Sequence, residues 1–195
     1  ERVPQLKDFY QEHASYMQAW SEIEKARHHH DKQEYGLAKG YYERAATIHT
    51  SLRHWSYLAL NYSAWDQVEE AEDLRRSEKS EEALSSFERA AKMFAETKKV
   101  LELKLGEIED QDEKKMAAKL IKSSDVRRKY CLGRTEIEDA KILDKKGDHL
   151  ASSQKYGSVA QTFEEMITAM ESEREKNEFK LIATLAQAWR KMTPA

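Results

Sequence analysis

The sequence predicts an all-α fold, and three observations carry that expectation. Only two of the 195 residues are proline, Pro4 and Pro194, so no pyrrolidine ring interrupts a helix between them. Glycine is confined to six positions while 35% of the residues are charged, a composition that suits long solvated helices and does not suit sheets or tight hairpins. Apolar residues also recur at alternating steps of three and four, the spacing that gathers them on one face of a helix. With 39% hydrophobic residues the chain has enough apolar material for a core, so disorder is not expected and residues 1–195 read as one all-α domain.

About six long helices follow in order. Leu6, Phe9, His13, Tyr16, Trp20 and Ile23 share one face, which predicts a first helix from about Pro4 to His30. Ala38, Tyr42, Ala45 and Ile48 continue the pattern from Tyr35, and Ala83, Phe87, Ala90, Phe94, Leu101, Leu105 and Ile108 sustain it over many turns. Met116, Leu120, Ile121, Tyr130, Cys131, Ile137 and Ala140 describe a long, less regular helix. Tyr156, Val159, Phe163, Met166, Ile167 and Met170 open a last one that is expected to reach Trp189. Breaks are expected at the polar clusters Asp31 to Gln33, Ser77 to Lys79 and Ser152 to Gln154.

Charge and cysteine content narrow the class of function. Thirty-three basic against 36 acidic residues leave a net charge of −3, which gives no global attraction for nucleic acid or an anionic membrane. The longest uncharged stretch, Trp55 to Trp65, is far short of the roughly 20 residues that cross a bilayer, and no basic start leads into an apolar run. A cytoplasmic location is therefore expected. Cys131 is the only cysteine, so intramolecular disulfides and cysteine zinc knuckles are excluded. Because the chain opens on Glu1 and not on methionine, it is expected to have been cut or trimmed from a longer protein.

Sliding the sequence against itself exposes an internal repeat. At an offset of 45, Ala19-Trp20 meets Ala64-Trp65, Glu24 meets Glu69, Ala26 meets Ala71, Ala38 meets Ala83, and Glu43-Arg44-Ala45-Ala46 meets Glu88-Arg89-Ala90-Ala91. A third copy is read at an offset of 121, where Tyr35-Gly36 meets Tyr156-Gly157 and Tyr42 meets Phe163. The units are then 19–49, 64–94 and 140–170, with a long helical insertion between the second and third. Each is a helical hairpin in which small residues let two axes approach while an aromatic fills the space beside them.

This spacing of small residues around an aromatic resembles the tetratricopeptide repeat family. The resemblance implies three stacked hairpins, as a solenoid or bundle, with the first helix of each lining a groove for a peptide or partner helix. The units depart from the family in starting 45 and then 76 residues apart, against a standard repeat of about 34, and in lacking a proline at their ends. Carried over by position, the groove residues are Trp20, Ile23, Arg27 and His30 from the first unit and Trp65, Val68, Glu72 and Arg75 from the second. The third-unit positions are Lys141, Asp144, Asp148 and Ala151. The two tryptophans fit either an aromatic anchor for a ligand or packing between hairpins. The paired lysine and asparagine by which some relatives clamp a terminal carboxylate are absent.

Other features favour bland readings. Consecutive residues on a helix point about 100° apart, so His28, His29 and His30 cannot converge on one ion, and no His-x-x-x-His or Glu-x-x-His pair exists. No metal or other cofactor is expected. The basic run Lys114, Lys115, Lys119, Lys122, Arg127, Arg128, Lys129 and Arg134 has no interleaved aromatic ladder and reads as a solvated face, with a docking patch for an acidic partner or nucleic acid as its functional version. A glycine-rich phosphate loop, a Gly-x-Ser-x-Gly elbow and a paired cysteine nucleophile are all missing, so no enzymatic activity is expected. The expected function is a protein-interaction or scaffolding module with a protein or peptide partner. A helical sensor holding a small molecule near Met166, Ile167 and Met170 is the alternative, and a homodimer through the later helices is a third.

Overall fold

The computed structural model describes residues 2–168, 170 and 173–193, with residues 2–4 and 174 described by backbone alone. Among the described residues seven helices run in order: α1 (Arg2–Asp31), α2 (Tyr35–Ser51), α3 (Ala59–Arg76), α4 (Ser80–Leu105), α5 (Gln111–Lys145), α6 (His149–Thr168) and α7 (Glu173–Met192). A one-turn 3₁₀ helix, Ser56–Leu58, leads into α3. No strand forms among the described residues. Nor is any helix among them long and apolar enough to cross a membrane. The all-α class is thus observed, with one helix more than expected. The stretch read as a single helix from Tyr156 to Trp189 is divided between Thr168 and Glu173, and Pro194 lies outside the described residues.

Three of the connections close in the same way. The N–H of Glu34 donates to the carbonyl of His29 and that of Gln33 to His30; Lys79 and Glu78 do the same to Leu74 and Arg75, and Asp148 and Gly147 to Leu143 and Asp144. This is the paired bonding of a Schellman turn, which needs one left-handed residue. Gln33 and Glu78 adopt it at φ 59° and Gly147 at φ 85°. These positions set the register of the hairpins: 33, 78 and 147, hence offsets of 45 and 114.

The offset of 121 read from the sequence places Gln154 opposite Gln33, but Ser152 to Gln154 lies inside α6 and the break falls at Lys146 to Asp148. The difference of seven residues is two helical turns, which keeps every side chain on its face and lets an aromatic pattern match in either register. In the register of the turns, Ile23, Val68 and Ile137 are equivalent, as are Ala26, Ala71 and Ala140, and every one of these is buried. Tyr42, Phe87 and Tyr156 fill the aromatic slot, and Ala46, Ala91 and Ala160 the small one.

Successive helices pack in chain order, α1 on α2 through to α6 on α7. The insertion between the second and third hairpins consists of extensions of α4 and α5, which run on past the repeat as a long antiparallel pair. Asp110 closes their turn by accepting from the backbone N–H groups of Asp112 and Glu113, satisfying two donors at the start of α5. Leu101 from α4 is buried in a core around Ile23, Tyr42 and Tyr62, against which Met116, Leu120 and Ile121 of α5 also pack. A larger core joins Phe87, Phe94, Tyr130, Ile137, Phe163 and Phe179 from α4 to α7.

Close approach is tightest where α5 meets α6. Gly133 stands where the other units carry Ala19 and Ala64, and a methyl group there would come within 2.8 Å of Cζ of the fully buried Phe163 ring. Gly133→Ala is therefore expected to destabilise the fold by about 1–3 kcal/mol, even though alanine is the better helix former. Urea unfolding of the two proteins checks this; a stabilised variant would show that the ring yields freely.

Candidate functional site

Helices α1, α3 and α5, with one residue of α2 and two of α7, surround a half-open hollow of about 400 Å³. Five of the eight residues expected in a groove line it: Trp20, Ile23, Arg27 and His30 from α1 and Trp65 from α3. The other three lie elsewhere. Val68 is buried in the larger core. Glu72 is 3% exposed and bound on all sides: Tyr130 Oη donates to it at 2.8 Å, Arg134 at 3.0 Å and Arg75 Nε at 2.8 Å. Burial alone would raise the Glu72 pKa, but the guanidiniums of Arg134 and Arg75 hold it below the usual carboxylate value. Of the third-unit positions, Lys141 bonds Glu138 at 2.7 Å and Asp144 bonds His149 at 2.7 Å.

A series of near-parallel rings runs beside the hollow, and Tyr42, Tyr62 and Trp65 of it line the wall. His49 lies parallel to Tyr62 at 5.2 Å, Tyr62 to Tyr42 at 6.4 Å, and Tyr42 to Trp65 at 5.6 Å, so the rings alternate between α2 and α3. The guanidinium of Arg127, from α5, closes the stack 4.8 Å from the Trp65 ring. Glu175 and Glu178, from α7, pair with that guanidinium at 3.2 and 3.4 Å. Trp20 is flanked in turn by Arg27, 5.8 Å from its ring. His30 meets the edge of Trp65 and bonds the buried Glu69 at 2.8 Å. Burial would lower the His30 pKa, and its bond to Glu69 outweighs that and raises it.

Several lining residues escaped the sequence reading. Tyr42 was assigned only a space-filling role, while Asn61 and Tyr62 sit in the uncharged stretch that served only to exclude a membrane span. Tyr42, Asn61 and Tyr62 are each 3% exposed, and none of their side chains makes a hydrogen bond to another described residue. Arg127 belonged to a run read as solvated, yet its side chain is 13% exposed and its Nε is buried without an acceptor. Arg134 of the same run is also turned inward, while Lys98 and Lys129 share Asp125 at 3.6 and 3.1 Å.

The remaining candidates are otherwise engaged. His29 stacks on Tyr41 at 5.1 Å and bonds Glu34, so the three adjacent histidines diverge as helical geometry requires. No group of three or more metal-binding side chains gathers among the described residues. Cys131 is fully buried, and burial pushes its thiol up to about 12, far from a reactive thiolate. Met166, Ile167 and Met170 are partly buried against the larger core. No family model, curated protein or solved structure matches the chain.

Proposed function

We propose that this chain is a protein-interaction module of tetratricopeptide-like hairpins that captures a peptide or partner helix in the hollow between α1, α3 and α5. The observation that carries the reading is that Trp20, Ile23, Arg27, His30 and Trp65, from two hairpins, line one hollow. Its volume of about 400 Å³ falls in the range of sites that hold a ligand, and it combines indole rings with a few polar groups, as binding sites do. Binding without catalysis fits the buried, unreactive Cys131 and the structural engagement of Glu72 and Glu138. In this reading the protein acts in the cytoplasm, where its lone thiol stays reduced.

Selection of a displayed library of random 12-residue peptides on the immobilised chain tests the proposal. Clones are expected to be enriched and to lose at least tenfold in affinity on Trp20→Ala, as truncation of an aromatic anchor does. Trp20 is the better probe because it stands outside the stack that includes Trp65. Enriched clones indifferent to Trp20→Ala, in a protein of unchanged circular dichroism, would refute the groove.

A further inference from the structure

We infer that the outward face of α5 is a docking surface apart from the hollow, where a row of lysines takes an acidic segment of a partner protein. The basic run from Lys114 to Arg134 is divided between two faces of this helix. Arg127 and Arg134 turn inward, where Glu175, Glu178 and Glu72 hold them, and Leu120, Ser123 and Arg127 line the hollow. Lys115, Lys119, Lys122 and Lys129 are exposed, and none of them lines the hollow. Their steps of four, three and seven residues follow the helical repeat, so they form a single line about 21 Å long.

This row departs from the way the chain treats its other exposed charges. Lys25, Lys79, Lys99, Lys104 and Lys176 each pair with a carboxylate three residues away. Lys114, Lys119, Lys122 and Arg128 pair with none among the described residues, while Lys115 and Lys129 reach Asp112 and Asp125. Like charges three and four residues apart repel and weaken a helix, a cost to α5 that an anionic partner removes.

The shape of the row selects the partner. Glu109, Asp110 and Asp112 are exposed at its start and Glu136 beyond its end, and Glu102 is exposed on α4, one turn from the Lys98 that reaches Asp125. A DNA duplex or an anionic bilayer is broad and would bring its phosphates against these acids while engaging the lysines. A single acidic chain is narrow enough to lie along the row and leave the borders in water. No aromatic residue stands between Lys114 and Lys129 to stack on bases, and Arg127 and Arg134, which could grip a phosphate by two bonds, are turned inside. With the row and the hollow on different faces, one copy of the chain can hold two partners at once.

Fluorescein-labelled poly-L-glutamate, followed by anisotropy at low ionic strength, tests the surface. Lys119→Glu with Lys122→Glu is expected to weaken binding about tenfold or more, because two attractions become repulsions. Lys145→Glu with Lys146→Glu changes the net charge equally at the far end of the same helix, about 34 Å from Lys122 and beyond the reach of a screened charge, and should cost less than about twofold. If the first variant loses the wild-type circular dichroism, Lys119→Gln with Lys122→Gln is read in its place, with an expected loss of about threefold. Trp20→Ala should leave the polymer bound as before, which separates this surface from the groove. Absence of binding, equal losses at the two ends of α5, or tighter binding of a DNA duplex or phosphatidylserine vesicles through Lys119 and Lys122 would each overturn the inference.

Discussion

Glu72→Leu is expected to destabilise the protein by about 3–5 kcal/mol, because it leaves Arg134 as an uncompensated charge in the core. Arg134 is 5% exposed, its Nε already lacks an acceptor, and Glu72 is the carboxylate it bonds, at 3.0 Å. Tyr130 Oη, which donates to the same carboxylate, loses its acceptor as well. The double variant Glu72→Leu with Arg134→Met should recover most of the loss, since removing both charges removes the reason for either. Urea unfolding of the wild type, both single variants and the double variant gives the coupling directly. A double variant no more stable than Glu72→Leu would show that packing around Glu72, and not the ion pair, carries the effect.

His49→Phe is expected to stabilise the protein and to remove most of an acid-sensitive limb of its stability curve. His49 is fully buried, neither ring nitrogen has a hydrogen-bond partner, and the equivalent slots in the other hairpins hold Phe94 and Phe163. Burial pushes its pKa down from 6.5 to about 4, an effect that a nearby peptide group of Trp55 offsets only in part. The unfolded chain thus binds the proton first as pH falls. Stability is complete above about 6.5 and declines by about 3 kcal/mol as the pH drops toward 4, at 1.36 kcal/mol per unit. Glu72 adds a second loss at lower pH, because its depressed pKa makes it a stabilising group only while ionised. Phenylalanine at position 49 should flatten the curve between pH 6.5 and 4.5 and leave the decline below 4.5 in place, and equal slopes for both proteins in the upper window would contradict the assignment to His49.

The sequence made the helices and the first two hairpins legible, because an apolar face at steps of three and four and an exact offset of 45 are both local patterns. The third hairpin was legible in kind but not in register. A shift of seven residues preserves facing, and the turn that breaks the tie depends on a backbone angle at Gly147 that no periodicity reports. The site divides along the same line. Trp20, Arg27 and Trp65 follow from equivalence between hairpins, whereas Glu72 occupies the expected helix but is bonded by Arg134 and Tyr130 across the gap to α5, and Arg75 bonds that same Glu72 on its own helix. Arg127, Glu175 and Glu178 are brought to the hollow by the last helices, and partners separated by 48 and 51 positions leave no trace in a local pattern.

The stack from His49 to Arg127 has an optical meaning. Its terminal indole, Trp65, lies between a phenol ring and a guanidinium that is itself held by two carboxylates of α7. Indole emission responds to the field across the ring, so whatever displaces Arg127 is registered as a change in colour or brightness at Trp65. The chain thus carries its own fluorophore in the lining of the hollow, and with Trp55 and Trp189 replaced by phenylalanine, displacement of Arg127 can be followed without attaching a dye.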